Sequence, residues 1–238
     1  MDERKGSVMA NPAALLDKAG VFFVLLVVVP VLAFYGPLWY GFAALGVILA
    51  LRESMWLPRK KWGGNIEQAD ILGFVAVCGL IAMVVVRREH GFGGVMVVLA
   101  GVAGTDTLAN IVGALIGKHH YSKVSKNKTI EGLIGGAIGG SAMMWLAWLI
   151  LNSLDRLDMS GALLAVGMPV VVGFSVWGDH FASKVKRGLG DASTDGIKNF
   201  SSLFGKATGG FLDRFDSHIF AFTAFALLDL RFWFEVVF

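Results

Sequence analysis

Four carboxylates, Asp106, Asp179, Asp213 and Asp216, lie inside or at the mouths of long apolar runs. A charge is costly near hydrocarbon, so an ionisable residue placed there points to function. Asp106 lies well inside one run, with Asn110 a helical turn later on the same face, and Asp213 and Asp216 share a face at i, i+3. Basic residues crowd the adjoining stretches 104–136 and 177–217: Lys126, Lys128, Lys186, Arg187, Lys198, Lys206 and Arg214. The chemistry that suits this set is phosphoryl-group transfer. Carboxylate oxygens hold Mg²⁺, which binds through one or two carboxylates plus substrate phosphates. Lysine and arginine neutralise polyphosphate oxygens, where positioning and electrostatics supply most of the catalysis. Gly209 and Gly210, ahead of a helix start, let backbone N–H groups approach a phosphate at the positive end of the helix dipole.

Simpler explanations cover part of the pattern. Basic loops on a membrane protein set topology and meet anionic lipids, and an aspartate such as Asp213 at a helix start is often only a cap. Neither accounts for Asp106 inside an apolar run, nor for four aspartates directed toward one membrane face.

The elements that position these residues are membrane helices. The chain has 238 residues, 55% hydrophobic and 16% charged, with a mean hydropathy of +0.67. A soluble domain carries about 25% charged residues, and the apolar runs approach the ~20 residues needed to cross a bilayer. The expected fold is an all-α polytopic integral membrane protein with seven spans, near 15–35, 37–51, 69–86, 92–116, 133–151, 159–177 and 216–236. Residues 1–91 form an N-terminal region of three spans, and 92–238 a catalytic region with cytoplasmic loops 117–132 and 178–214. The glycines of "GGAIGG" (135–140) repeat one helical turn apart, which lets helix backbones approach closely, either within the chain or across a homodimer seam.

Seventeen lysines and arginines fall on one side of these spans, against Arg87, Arg88 and Arg156 on the other. The positive-inside rule then places the N-terminus and large loops in the cytoplasm and the C-terminus outside, in the cell inner membrane. The single cysteine, Cys78, excludes an intramolecular disulfide. A phosphate-binding P-loop is absent, since "GALIGKHH" has the wrong glycine spacing and no following Ser or Thr. His119, His120, His180 and His218 match no zinc-site spacing.

The C-terminal half resembles the phosphatidate cytidylyltransferases, or CDP-diacylglycerol synthases. Their signature, S-x-x-K-R, then K-D, then H-G-G and D-R-x-D, is similar to Ser183 through Arg187, Lys198-Asn199, Gly209-Gly210 and Asp213-Arg214-Phe215-Asp216. The family's preceding G-D is Gly178-Asp179. Upstream, D-x-x-A, G-K and S-P-K-K-T-x-E-G are similar to Asp106 through Ala109, Gly117-Lys118 and "SKNKTIEG", where Ser125, Lys128, Thr129, Glu131 and Gly132 match position by position. The resemblance covers roughly residues 104–217. The chain departs from it at Asn199 in place of aspartate, Thr208 near the histidine, Ala182 in place of glutamate, Lys126 in place of proline, and a longer spacer carrying "GLGDASTDG".

The resemblance implies transfer of a cytidylyl group from CTP to phosphatidic acid, giving CDP-diacylglycerol and pyrophosphate for phospholipid synthesis. It implies Mg²⁺ held by Asp179, Asp213 and Asp216, with Asp106 a further ligand or an orienter. Lys186, Arg187, Lys198 and Arg214 would neutralise the two polyanions. Ser125, Lys128, Thr129 and Glu131 would close over the nucleotide, with Ser183, Gly209 and Gly210 also binding substrate. The partners are then CTP, a lipid phosphate and the bilayer, with no nucleic acid. Alternatives are a CDP-archaeol synthase or polyprenol kinase, a transporter lined by Asp106, and a degenerate lipid-binding relative. The broken, symmetric spans of a transporter are not seen.

Overall fold

The computed structural model describes residues 28–56, 68–121, 128–188 and 211–229. These form six helices: α1 (Val29–Phe34), α2 (Gly36–Trp56), α3 (Gln68–Ile116), α4 (Ile130–Ser153), α5 (Gly161–Gly188) and α6 (Phe211–Leu228). Four of them, α2 to α5, are long and apolar enough to cross a membrane, and α6 carries a shorter apolar segment, Phe215–Leu228. The chain is an integral membrane protein. Large apolar side chains such as Phe74, Ile48, Ile138 and Trp145 face outward, as a hydrocarbon surround requires.

The spans expected at 69–86 and 92–116 both lie in α3, a helix of 49 residues with a break at Gly91. At ~1.5 Å per residue a straight helix of that length would be more than twice as long as the ~30 Å hydrocarbon core is thick. Gly91 resolves this with φ 65° and ψ −163°, a backbone conformation that disfavours any side chain. Contacts on either side show that the two legs, 68–90 and 92–116, run in opposite directions. The first leg runs parallel to α6, with Gly79 against Ile219 and His90 against Asp229. The second leg runs antiparallel to α4, with Gly101 against Met144, Gly104 against Met143, and Gly113 against Thr129. Residues 1–27, where the first expected span begins, and 230–238, where the last ends, lie outside the described residues.

The glycine stretch is consumed by that second leg. A Cβ on Gly136 would stand 2.8 Å from both Ala109 Cβ and the Thr105 carbonyl, and one on Gly140 2.0 Å from Thr105 Oγ1. Gly136, Gly139 and Gly140 are buried, so this seam lies within the chain and is not available to a second copy.

At the end of the bundle marked by Gly91, His90 is fully buried. Its Nε2 lies 2.6 Å from Asp229 Oδ2 and its Nδ1 2.6 Å from the Asp158 carbonyl. Both partners carry oxygen atoms on other segments of the chain. This cluster joins α3, the 154–160 connection and the end of α6. His90→Leu would remove a hydrogen-bond partner from the buried Asp229 side chain and from the Asp158 carbonyl, a loss of about 1–3 kcal/mol. A thermal melt in detergent should show a midpoint several degrees lower.

Candidate active site

The other end of the bundle gathers the end of the second leg of α3, the start of α4, the end of α5 and the start of α6. Between them is a cavity of about 410 Å³, lined by residues that include Asp106, Asn110, His120, Tyr121, Lys128 and Thr129. Its position follows from the helix directions, which bring Asp106, Asp179 and Ser217 to one level.

The described ends of the connection between α3 and α4, residues 117–121 and 128–129, lie against each other beside this cavity. His120 and Thr129 form an antiparallel bridge, the Ile130 N–H donates to the His119 carbonyl at 2.9 Å, and the Tyr121 N–H donates to the Lys128 carbonyl at 3.3 Å. Thr129 then caps α4, its hydroxyl accepting the Gly132 N–H at 3.1 Å, which satisfies one of the helix's free donors. Glu131 accepts the N–H groups of Lys118 and His119, each at 3.2 Å, and meets His119 Nδ1 at 2.6 Å. It clasps the far side of the loop and does not line the cavity. Glu131→Ala removes the acceptor of both backbone N–H groups. Hydrogen exchange at the Lys118 and His119 amides should then quicken measurably.

At the centre of the cluster, the Lys128 ammonium pairs with the Asp179 carboxylate, joining the loop to α5. Asp106 lies close enough to interact with both charges, and the Ser217 hydroxyl hydrogen-bonds it from α6. Burial alone would depress the Lys128 pKa; attraction to Asp179 and Asp106 outweighs it and holds the amine above its ordinary value. Lys128 therefore stays protonated in a half-buried anionic pocket.

Asp216 is buried, and its Oδ1 accepts the Ser217 N–H at 2.7 Å. Ser183 follows Asp179 by one turn of α5, half-buried and outside the cavity lining. Lys186 and Arg187 stand in the last turn of α5, and Asp213 and Arg214 in the first turn of α6; their side chains lie outside the described set. Ser125, Lys198, Gly209 and Gly210 also fall outside the described residues. Among the described residues no group of three or more His, Cys, Asp or Glu side chains could hold a metal. Asp106, in the cavity lining, and Asp179, paired with Lys128, are two hard carboxylates of the kind that hold a Mg²⁺-like cation when phosphate oxygens complete its shell.

Ser217, His120 and Tyr121 contribute to the site or its lining without having been singled out as site residues from sequence. The one available signal was position, with Ser217 directly after D-R-F-D and the other two in the basic loop.

Fold and site together define a helical membrane protein with an electrostatic cluster and a cavity of about 410 Å³ at one end of the bundle. The chain belongs to the cytidylyltransferase family, whose model matches residues 11–231. It is 31% identical over 179 residues to a phosphatidate cytidylyltransferase of Aquifex aeolicus, covering 74% of this chain and 62% of that one. A Staphylococcus haemolyticus phosphatidate cytidylyltransferase is 28% identical over 226 residues, 93% of this chain and 83% of the relative. A chloroplastic one from Arabidopsis thaliana, phosphatidate cytidylyltransferase 4, is 36% identical over 130 residues, 55% of this chain and 30% of that protein. The chain thus spans less than two thirds of the Aquifex relative's length and less than one third of the Arabidopsis relative's.

Proposed function

We propose that this protein transfers the cytidylyl group of CTP to phosphatidic acid, forming CDP-diacylglycerol and releasing pyrophosphate. The observation that carries this reading is the meeting of Asp106, Lys128 and Asp179, from three separate segments, beside one cavity at the bundle end. Family membership and the names of the relatives support the choice of nucleotide and lipid.

A phosphate oxygen of the lipid attacks the α-phosphorus of CTP, the bond from that phosphorus to the α,β-bridging oxygen breaks, and pyrophosphate leaves. The lipid phosphate is already anionic, so little general-base work is needed. The demand is to bring two polyanions together. Lys128 meets them inside the cavity, and Lys186, Arg187, Lys198 and Arg214 add positive charge from the adjoining segments. Ser125, Thr129 and Ser183, with the N–H groups of Gly209 and Gly210, orient phosphate oxygens, and Glu131 holds the start of the α3–α4 connection in place beside the cavity. Asp106 and Asp179 would hold Mg²⁺, with Asp213 and Asp216 from the start of α6 as further ligands. When bound, the cation supplies charge neutralisation at the phosphates. The site lies at a helix mouth because one substrate is soluble and the other is anchored in the bilayer.

The same reading has seven crossings, α3 contributing two, with the N-terminus and the site in the cytoplasm of an inner-membrane protein and the C-terminus outside. The catalytic region begins near 92, after the Gly91 reversal. The test is purified protein in lipid nanodiscs, given CTP, Mg²⁺ and a panel of lipid phosphates. Phosphatidic acid should yield a CDP-lipid; no product from any lipid phosphate would overturn the proposal.

A further inference from the structure

Lys128 pairs with a carboxylate that, on the reading above, would hold the divalent cation. Its ammonium is paired with Asp179 and attracted by Asp106, the two described carboxylates that fit such a cation. The backbone on its C-terminal side is secured by the His120–Thr129 bridge and the Glu131 clasp, which do not involve the ammonium. The lysine itself is a flexible four-carbon stem ending in a compact charge, and its side chain is 35% exposed on the cavity side. It can therefore travel several ångströms without moving the backbone.

We propose that Lys128 is a place-holding cation: it neutralises Asp106 and Asp179 before substrate arrives, and it swings to the nucleotide phosphates when the divalent cation takes its position. This rests on the reading of the site as a metal- and CTP-binding one. It gives the carboxylate pair a partner at every stage, so two like charges are never left facing each other in a half-buried pocket. It also makes metal and nucleotide binding cooperative. The metal alone must displace an ammonium that gains no new partner, whereas metal with CTP offers that ammonium the phosphates.

The test is Mn²⁺ binding to the full chain in nanodiscs, read by electron paramagnetic resonance with and without CTP, for wild type, Lys128→Met and Lys128→Arg. Removing a half-exposed competing charge should tighten Mn²⁺ binding without CTP about five- to tenfold in Lys128→Met. The same variant should lose the strengthening of Mn²⁺ binding that CTP brings to wild type. Lys128→Arg, which keeps the charge, should bind Mn²⁺ alone as wild type does, and thermal melts check that each variant folds. If Lys128→Met binds Mn²⁺ alone no better than wild type, while wild type turns CTP over, the place-holder idea is overturned and the reaction stands. If neither protein binds Mn²⁺ saturably and wild type makes no product, the site reading falls and takes the place-holder with it.

Discussion

Asp179→Asn should slow CDP-lipid formation by about 10²–10³-fold while the protein remains folded and monodisperse. The substitution keeps the shape of the side chain and removes one of the two charges that define the site. Asp179 pairs with Lys128 and lies near enough to Asp106 for their charges to interact. Without it, Lys128 loses its anchor on α5 and the carboxylate pair becomes a single carboxylate. Preorganised charge at a phosphoryl-transfer centre contributes ~3–4 kcal/mol to the transition state, which is the stated range in rate. Asp106→Asn should have a loss of the same order. Steady-state turnover beside a thermal melt measures both, and a fall of less than tenfold with normal melting would remove Asp179 from the mechanism.

Gly136→Val should act just as strongly but through packing. The added Cβ meets Ala109 Cβ and the Thr105 carbonyl at 2.8 Å, and a backbone oxygen cannot rotate out of the way. The helices must separate, and overpacking of this kind costs about 1–3 kcal/mol or more. The leg displaced is the one carrying Asp106. Most of the variant should elute as aggregate on size exclusion, and the folded remainder should have lost most of its turnover. Gly173→Ala is the control, because a Cβ there meets nothing within 4 Å. It should elute and turn over like wild type.

The parts of this site that were legible in sequence are those where local composition betrays the role. Asp106 stands out because a carboxylate in an apolar run has no bland explanation, and Lys128 because its neighbours repeat a known spacing. The small-residue stretch 135–140 announced close helix packing, though only the structure shows that the partner is the leg 92–116 of the same chain. What could not be read depends on long-range meeting. Nothing near Ser217 says that its hydroxyl reaches Asp106, 111 positions earlier in the chain. His90 and Asp229 are likewise ordinary residues until two helices bring them to 2.6 Å. Glu131 was assigned to substrate by its motif, and the structure shows it holding the Lys118 and His119 amides, which only the fold of the loop determines. The Gly91 reversal was expressed in sequence merely as a gap between two apolar runs.

Cytidylyl transfer moves the α-phosphorus of CTP to a lipid phosphate, so the position of a radiolabel in CTP reports the reaction. Purified protein would be incubated with Mg²⁺, phosphatidic acid and CTP radiolabelled at either the α- or the γ-phosphate, followed by lipid extraction. The α-label should enter the lipid phase and the γ-label should appear as pyrophosphate in the aqueous phase. Transfer of the γ-label to lipid, or retention of both labels in CTP, would rule out cytidylyl transfer to phosphatidic acid.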